Sequence, residues 1–549
     1  MRFLSRLSAF VVVSAIALYA AVDEGQHQHA GAPPAKLGQV RFATSCAPAV
    51  RPQFTRAVAL LHSFWYDEAR RQFQAVAEKD PRCAMAWWGV AMTYWHPLWE
   101  PRGPQPDALK AGNEAIEKAA AAGTPSRREK DFIAALADFY RDYGARDHID
   151  RVLAYEKAME QVHARYPADT ESAVFYALAL LGSATSLPPD KTYARQKKAS
   201  ALLQPVFRRQ PQHPGLAHYI IHANDYPTLA VNALAAARRY AKIAPDSAHA
   251  QHMPSHIFTR LGLWQESIQS NLASAATARK NREMHEELHA DDYLVFAYLQ
   301  TGQDEKARQL RDEIAAGPAV QPDFAELYAR AAISARYVVE RRDWAAAAAL
   351  PDPVGFPGGR YAWADATTYF ARALGAARTG KLDAARADIA RLAAAHKTLL
   401  DNKENYWAGQ VEIQRRAASA WLALAEGNPD HGLELMRAAV ELEDSTDKHP
   451  VTPGAVIPAR DLLGQMLIEL KQPALALGAY EKLLANEPNR FGALYGAARS
   501  AQLAGEPAKA TKFYTRLLDI CRGQEQQRAE LREARDCLAR GAKKEAGGQ

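Results

Sequence analysis

Histidines are the residues of this 549-residue chain whose number and spacing are best suited to chemistry. Six of the 17 histidines lie between positions 213 and 256. They include two pairs, His218 with His222 and His252 with His256, and the second pair follows the first by 34 residues. Since an i,i+4 spacing places two side chains on one face of a helix, the pattern predicts four imidazoles on equivalent faces of two successive helices.

Neutral imidazole is a common ligand of Zn, Cu, Ni and Fe. Protonated imidazoles in one concavity would repel each other, which lowers their pKa values and leaves lone pairs available for a metal. No cysteine lies near them in the sequence, which favours Zn²⁺ or Cu²⁺ over Cu⁺. We therefore predict a transition-metal site made of the four paired histidines. Additional candidates, as ligands or as groups that orient the ligands, are His213, Asp225, His249, His289 and Asp292.

Other interpretations of the histidines stay open. The cluster could bind a cationic or hydrogen-bonding ligand without a metal, or serve only structural hydrogen bonding. Pro254 removes a helical hydrogen bond and predicts a kink between His252 and His256. A weaker pair, His62 and His96, is also 34 residues apart and lies among aromatic side chains. For this pair, hydrogen bonding to a free carbonyl is favoured over metal binding.

Common cofactor and catalytic motifs are missing from the sequence. It contains no P-loop pattern, no GxGxxG after a strand, no HExxH and no GxSxG. We therefore expect no nucleotide cofactor, and no reaction is indicated. The 68 basic and 62 acidic residues leave a net charge of +6 that is mixed along the chain, so we expect no nucleic-acid partner.

The elements that must position the histidines follow the same 34-residue period. Trp87-x2-Val90-Ala91-x2-Tyr94 matches the first-helix pattern of a tetratricopeptide repeat, and Ala69-x3-Phe73-x2-Val76-x4-Pro81 matches the second-helix pattern. Ala476, Tyr480 and Leu483 recur as Ala510, Tyr514 and Leu517, and Pro211 recurs as Pro245. On these motifs the chain resembles the tetratricopeptide repeat (TPR) family over most of residues 48–520.

The resemblance implies an all-α fold, an α-solenoid of stacked helix-turn-helix repeats that forms a right-handed superhelix with a concave groove. We expect about eight to ten helical pairs across residues 48–540, with loop inserts near 101–106, 186–190, 350–360 and 443–454 that cap or partly cover the groove. First helices line the groove in this family, so a peptide, protein or small-molecule ligand would bind there. The Lys and Asn with which some members clamp a peptide C-terminus are absent here, and that role is not extended to this chain.

The composition of the N-terminal segment predicts export. Residues 1–22 combine a basic start with an uncharged apolar stretch, as in a secretory signal peptide or an uncleaved N-terminal anchor. No other segment is apolar enough to span a membrane. Residues 23–47 are predicted to be a flexible linker and residues 541–549 a disordered tail. We expect a periplasmic or secreted protein.

Cysteines in an exported chain are expected to form disulfides. In the register that the TPR resemblance implies, Cys46 and Cys83 both lie just before first helices that are neighbours, which makes them the expected pair. A bond between Cys521 and Cys537 is not expected.

Three functions are consistent with these features. The first is an exported TPR solenoid that binds a peptide or small ligand in its groove beside a histidine-coordinated Zn or Cu ion. The second is a metal-free protein–protein interaction scaffold of the cell envelope. The third is a metal-dependent enzyme of unknown reaction, which would need an open coordination position. Whether the chain is an enzyme stays open at this stage.

Overall fold

The computed structural model describes residues 36–317, 324–353, 361–524 and 528–546. The predicted signal segment 1–22 and residues 23–35 of the predicted linker lie outside the described residues. Every regular element in the described ranges is helical, which confirms the predicted all-α fold. Within the same ranges, no helix combines the length and the apolar character that a membrane crossing needs.

The helices of the N-terminal half precede and include the histidine-rich region. They are α1 (Arg51–His62), α2 (Tyr66–Lys79), α3 (Ala84–Met92), α4 (Pro106–Ala122), α5 (Arg127–Tyr140), α6 (His148–Arg165), α7 (Thr170–Ser186), α8 (Ala194–Arg209), α9 (Pro214–Asn224), α10 (Leu234–Ile243), α11 (Ala248–His252), α12 (Pro254–Arg260) and α13 (Trp264–Asn281). A 3₁₀ turn at Ala230–Ala233 precedes α10.

The helices of the C-terminal half continue the same pattern. They are α14 (Met284–Gln300), α15 (Asp304–Ala316), α16 (Phe324–Glu340), α17 (Trp344–Ala348), α18 (Ala362–Arg378), α19 (Leu382–Asp401), α20 (Asn405–Ala425), α21 (Pro429–Ser445), α22 (Ala459–Glu469), α23 (Pro473–Asn486), α24 (Phe491–Leu503), α25 (Pro507–Ile520) and α26 (Ala529–Ala546).

These helices stack as pairs. Consecutive helices pack against each other, and the first helix of a pair also contacts the first helices of adjacent pairs, as α7 contacts α9 and α14 contacts α16. With α11 and α12 taken as one interrupted helix, α1 to α25 form twelve pairs in the described ranges. This exceeds the expected eight to ten because short helices such as α17, with five residues, do not match the repeat pattern. The arrangement is a TPR-like α-solenoid.

Small residues allow the paired helices to approach closely. A Cβ atom at Gly89 would collide with the ring of Phe73, and Cβ atoms at Gly464 and Gly496 would collide with the ring of Tyr480. First helices are consequently enclosed on most sides, and 13 of the 17 residues of α7 are buried. Polar side chains on first helices therefore lie inside the molecule and need partners there.

The insert between α21 and α22, residues 446–458, covers part of the inner face formed by the first helices. Lys448 Nζ lies 2.7 Å from Asp225 Oδ2, just beyond the end of α9. The hydroxyl of Tyr293, on α14, donates a hydrogen bond to the carbonyl oxygen of Thr452 at 3.0 Å. The insert expected near 443–454 thus closes over the histidine-rich region, although residues 443–445 still belong to α21.

Residues 36–47 differ from the predicted flexible linker. Leu37, Val40 and Phe42 are buried. The backbone N–H of Gln39 donates to the carbonyl oxygen of Gln212 at 2.8 Å, and the ring of Phe42 packs on Phe54 of the first repeat. Cys46 forms the expected disulfide with Cys83, with 4.6 Å between their Cα atoms. The buried apolar side chains and the disulfide therefore hold this segment against the helices.

The C-terminal region also differs in part from the sequence prediction. Helix α26 extends to residue 546, so residues 541–546 of the predicted disordered tail are helical, and 547–549 lie outside the described residues. Cys521 and Cys537 are not joined to each other. Cys521 instead donates a weak hydrogen bond to the carbonyl oxygen of Gln300, with 3.8 Å between sulfur and oxygen.

Candidate metal centre

Two groups of three histidines lie beside each other on the first helices. The first triad is His218, His222 and His249, with two rings from α9 and one from α11. The Nε2 atom of His218 lies 3.0 Å from Nε2 of His222 and 3.1 Å from Nε2 of His249. One nitrogen of each ring therefore points toward a common centre.

The second triad is His252, His256 and His289, and it is built from three helical segments. Helix α11 ends at His252, Pro254 begins α12, which carries His256, and α14 supplies His289. The Nε2 atoms of His252 and His256 are 3.0 Å apart, and the ring centroids of His252 and His289 are 4.1 Å apart. Pro254 thus causes the predicted interruption, and both flanking rings still converge on one point.

The sequence predicted one site of four histidines, and the structure divides these four between two triads. The rings of His222 and His256 are 6.4 Å apart. Each of the two predicted histidine pairs lies closer to a third imidazole than to the other pair. His249 lies one turn before His252 and turns toward α9, and His289 comes from the next first helix. Both were among the additional candidates, and they complete the triads.

Hydrogen bonds on the outer side of the second triad fix the position of the protons. The Nδ1 atom of His252 lies 2.6 Å from Oδ1 of Asn271, whose amide nitrogen donates to the carbonyl of Ser267 at 2.8 Å. The Nδ1 atom of His256 lies 3.0 Å from Oδ2 of Asp225. Because an amide oxygen and a carboxylate only accept, both Nδ1 atoms must donate. The two neutral rings therefore present lone pairs on Nε2.

With these tautomers, the two lone pairs face each other, because the two Nε2 atoms are 3.0 Å apart. Protonation is disfavoured, because burial lowers the pKa of His256 to about 4 and that of His289 to about 3. Burial and the neighbouring imidazoles also lower the pKa of His252 well below its ordinary value. A metal cation would satisfy the lone pairs, and a tetrahedral Zn with bonds of about 2.0–2.1 Å holds ligand nitrogens roughly 3.3 Å apart. The observed separation fits such an ion after a small shift.

The first triad has the same kind of outer support. The Nδ1 atom of His218 donates to the carbonyl oxygen of His62 at 2.7 Å, which again leaves the lone pair on Nε2. Burial, followed by the neighbouring rings, lowers the pKa values of His218 and His222 well below the ordinary value. The Nδ1 atom of His249 is buried without a hydrogen bond and lies 3.6 Å from Oε1 of Glu286. A slight movement would form this bond, and carboxylates orient metal-bound imidazoles in this way.

Asp225 connects the second triad to two cations. It accepts hydrogen bonds from His256, from Arg260 at 2.9 Å and from Lys448 at 2.7 Å. Burial opposes ionisation of this carboxyl group, but Lys448 and Arg260 hold its pKa well below the ordinary value. Asp225 therefore acts as an outer carboxylate that orients His256, one of the two roles predicted for it.

His213 and His62 belong to a separate group around Glu171. Both Nε2 atoms lie 2.9 Å from an oxygen of Glu171. The other nitrogen of His213 accepts from the backbone N–H of Leu216, and that of His62 lies 3.1 Å from the hydroxyl of Tyr219. All four ring nitrogens have hydrogen-bond partners, so this arrangement needs no metal and fits a structural role.

Two further candidates lie apart from the triads. Asp292 forms a buried ion pair with Arg336. His96 stacks on Tyr66, with 4.1 Å between ring centroids, and lies 3.5 Å from Glu100. His62 and His96 therefore have different partners and do not form a second site together.

Several residues of the centre were not found from the sequence. Glu286 and Tyr293 stand three residues before and four residues after His289 on α14, and this helical spacing was a usable signal. No sequence signal indicated Asn271 or Lys448. They lie on α13 and on the 446–458 insert, and only the folding of the chain brings them to the histidines.

Comparisons with known proteins do not assign the chain to a family. No family model matches it, and no curated protein matches it significantly. Solved structures that it resembles include a human IFIT1 dimer with m7Gppp-AAAA, at 10% identity and a TM-score of 0.33, covering 76% of this chain and 87% of that one. Yeast Tom70 shares 11% identity at a TM-score of 0.29, covering 90% and 96%. A complex of Naa15/Naa10 bound to HypK-THB shares 13% at 0.24, covering 89% and 73%. These likenesses carry no functional conclusion.

Proposed function

We propose that the protein is an exported TPR-like solenoid that binds transition-metal ions, zinc or copper, one in each histidine triad. The observation that supports this most directly is the pair His252 and His256. Their outer nitrogens donate to Asn271 and Asp225, and their inner nitrogens lie 3.0 Å apart in a buried place. A cation between them would remove the repulsion of the two lone pairs without protonation of a buried ring.

The ligand type favours zinc and copper among the common metals. Six imidazoles and no thiolate suit divalent ions of this group, and copper binds nitrogen ligands more strongly than zinc in the general affinity order. The Cys46–Cys83 disulfide supports an oxidising compartment outside the cytosol, in agreement with the signal-like composition of residues 1–22. A peptide or small ligand would bind on the inner face beside the centre.

Metal content tests the proposal. Protein purified from a periplasmic fraction without a histidine tag should contain about two Zn or Cu ions per chain by elemental mass spectrometry. His218→Ala and His252→Ala should each lose one ion, and the double variant should lose both. His396→Ala, on α19 and outside both triads, is the matched control and should keep both ions.

A wild type with only trace metal and no measurable affinity for Zn²⁺ or Cu²⁺ would refute the proposal. The alternative, a metal-free interaction scaffold, would then be tested by partner capture with the same variants.

A further inference from the structure

The nearest rings of the two triads are hardly farther apart than the rings of His256 and His289 within the second triad. The ring centroids of His222 and His256 are 6.4 Å apart, as are those of His249 and His252. Within the second triad, His256 and His289 are separated by 6.3 Å. Two-metal sites hold their ions about 3.5–4 Å apart. Ions held in the two triads would therefore be neighbours, as in a paired centre.

Each ion of such a pair would lack a ligand. The carboxylates nearest the triads, Asp225 and Glu286, face the outer Nδ1 atoms of His256 and His249 and not the inner Nε2 atoms. Three protein ligands per metal ion leave a coordination position for an exogenous group, as in catalytic zinc sites. Because rings of the two triads are neighbours, one shared ligand could fill both positions.

The charges around the triads call for that ligand to be an anion. Neutral imidazoles contribute no charge, and Asp225 is paired with both Arg260 and Lys448. With the carboxylate of Glu286 included, these four groups sum to zero. Two divalent ions would then leave four positive charges in a buried site, which is costly unless anions accompany them.

A cavity adjoins the first triad. It is partly open to solvent and lies against His222 of the first triad. Apolar side chains form much of its wall, including Leu98 and Leu181, whereas Lys448 adds an ammonium group beside Asp225. A small anion in this cavity would lie beside both an ammonium group and a ring of the first triad.

We propose that the two triads form one dinuclear centre that binds a small anion between its metal ions, hydroxide at rest, and that the anion enters along this cavity past Lys448. This inference rests on the proposed metal binding and specifies the ligand class of that same site.

Spectroscopy of the copper-loaded chain tests the pairing, with azide as the probe anion. A bridging anion couples two Cu²⁺ ions, so the electron paramagnetic resonance signal should fall below about a tenth of that of two independent ions. Azide should bind once per two copper ions and give a charge-transfer absorption band. His252→Ala should hold one copper with a full signal, and its azide affinity should be at least about tenfold lower.

Two full copper signals, with azide binding no tighter than in His252→Ala, would overturn the paired centre and leave metal binding intact. A chain that binds neither Cu²⁺ nor Zn²⁺ would overturn the proposed function, and this inference with it. The two failures are therefore distinguishable.

Lys448→Met tests the entry route. Measured on fully copper-loaded protein, azide affinity should fall by about tenfold, and Lys448→Arg, which keeps the charge, should restore the affinity. The matched control is Lys191→Met, because Lys191 binds Asp447 of the same insert at 2.8 Å but does not line the cavity. Unchanged azide affinity in Lys448→Met would overturn the role of this lysine.

Discussion

At the scale of single residues, the buried histidines make the protein without metal sensitive to acid. The pKa of His256 is about 4 and that of His289 about 3 in the folded chain, since burial disfavours the charged rings. An unfolded histidine titrates near 6.5. Between these values the unfolded state binds protons that the folded state does not, so the free energy of unfolding falls as the pH drops below about 6.5.

We expect each of these two histidines to cost the metal-free protein about 2 kcal/mol of stability between about pH 7 and about pH 5. Denaturant unfolding in the presence of a chelator at both pH values would measure the loss. His256→Asn should reduce the loss by the share of one histidine. His431→Asn, at an exposed site on α21, should leave the loss unchanged, and an equal loss in wild type and His256→Asn would contradict the assignment.

The oxygen partners of the outer nitrogens should matter nearly as much as the ligands. Asn271 accepts from His252 at 2.6 Å, and Asn271→Leu would free that ring to change tautomer. We expect the second triad to lose about 10- to 100-fold in metal affinity while the first triad is unaffected. Competition with a chromogenic chelator would resolve the two ions.

Asn281→Leu is the control for this prediction, because Asn281 ends the same helix and bonds to the carbonyl of Asp246 instead of to a histidine. If both variants released metal equally, a general loss of packing in α13 would explain the effect, and not the hydrogen bond to His252.

At the scale of elements, the break between α11 and α12 sets the geometry of the second triad. Pro254 cannot donate to the preceding turn, and the N–H of His256 bonds instead to the carbonyl of Met253 at 3.2 Å. This bond spans three residues and not four, so the backbone makes a tighter turn between His252 and His256. A regular helix would move one ring relative to the other.

Pro254→Ala should therefore weaken metal binding without harming the fold. An internal proline costs a helix about 3 kcal/mol, so the thermal midpoint should stay constant or rise. Affinity at the second triad should fall by about tenfold, because a site loosened by a fraction of an ångström loses its ligand geometry. Isothermal titration with Zn²⁺ would measure it, and Pro507→Ala, at the start of α25, is the control without a nearby histidine. Equal affinities in wild type and Pro254→Ala would show that the break is incidental.

The sequence predicted the helices and four of the six histidines that the structure brings together, because both repeat with the same 34-residue period. The positions of His218, His222, His252 and His256 carry that period directly. It could not predict the division into two triads, since this depends on which way His249 turns between α9 and α14. It also missed the contributions of α13 and of the 446–458 insert, which are brought to the site by stacking and by a long loop.

At the scale of the whole molecule, residues that are far apart in sequence form contacts that join distant repeats. Arg102 forms an ion pair with Glu404 at 2.7 Å, and the indole N–H of Trp264 donates to the carbonyl of Asn489 at 2.8 Å. In an open solenoid each repeat depends only on its neighbours. Here α1 also contacts α9, so loosening of the first repeat should be felt at the first triad.

The Cys46–Cys83 disulfide offers a test of this coupling, because it closes a loop of 37 residues around α1. Removing it should destabilise the N-terminal repeats by about 4 kcal/mol in the chain-entropy model. The carbonyl oxygen of His62, at the end of α1, accepts the hydrogen bond from the ring of His218. In Cys46→Ser/Cys83→Ser, the ion of the first triad should therefore leave at a lower urea concentration than the ion of the second triad. Chelator absorbance and circular dichroism would follow release and unfolding together, with Cys537→Ser as the control. Simultaneous release of both ions at the wild-type urea concentration would show that the first repeat does not support the centre.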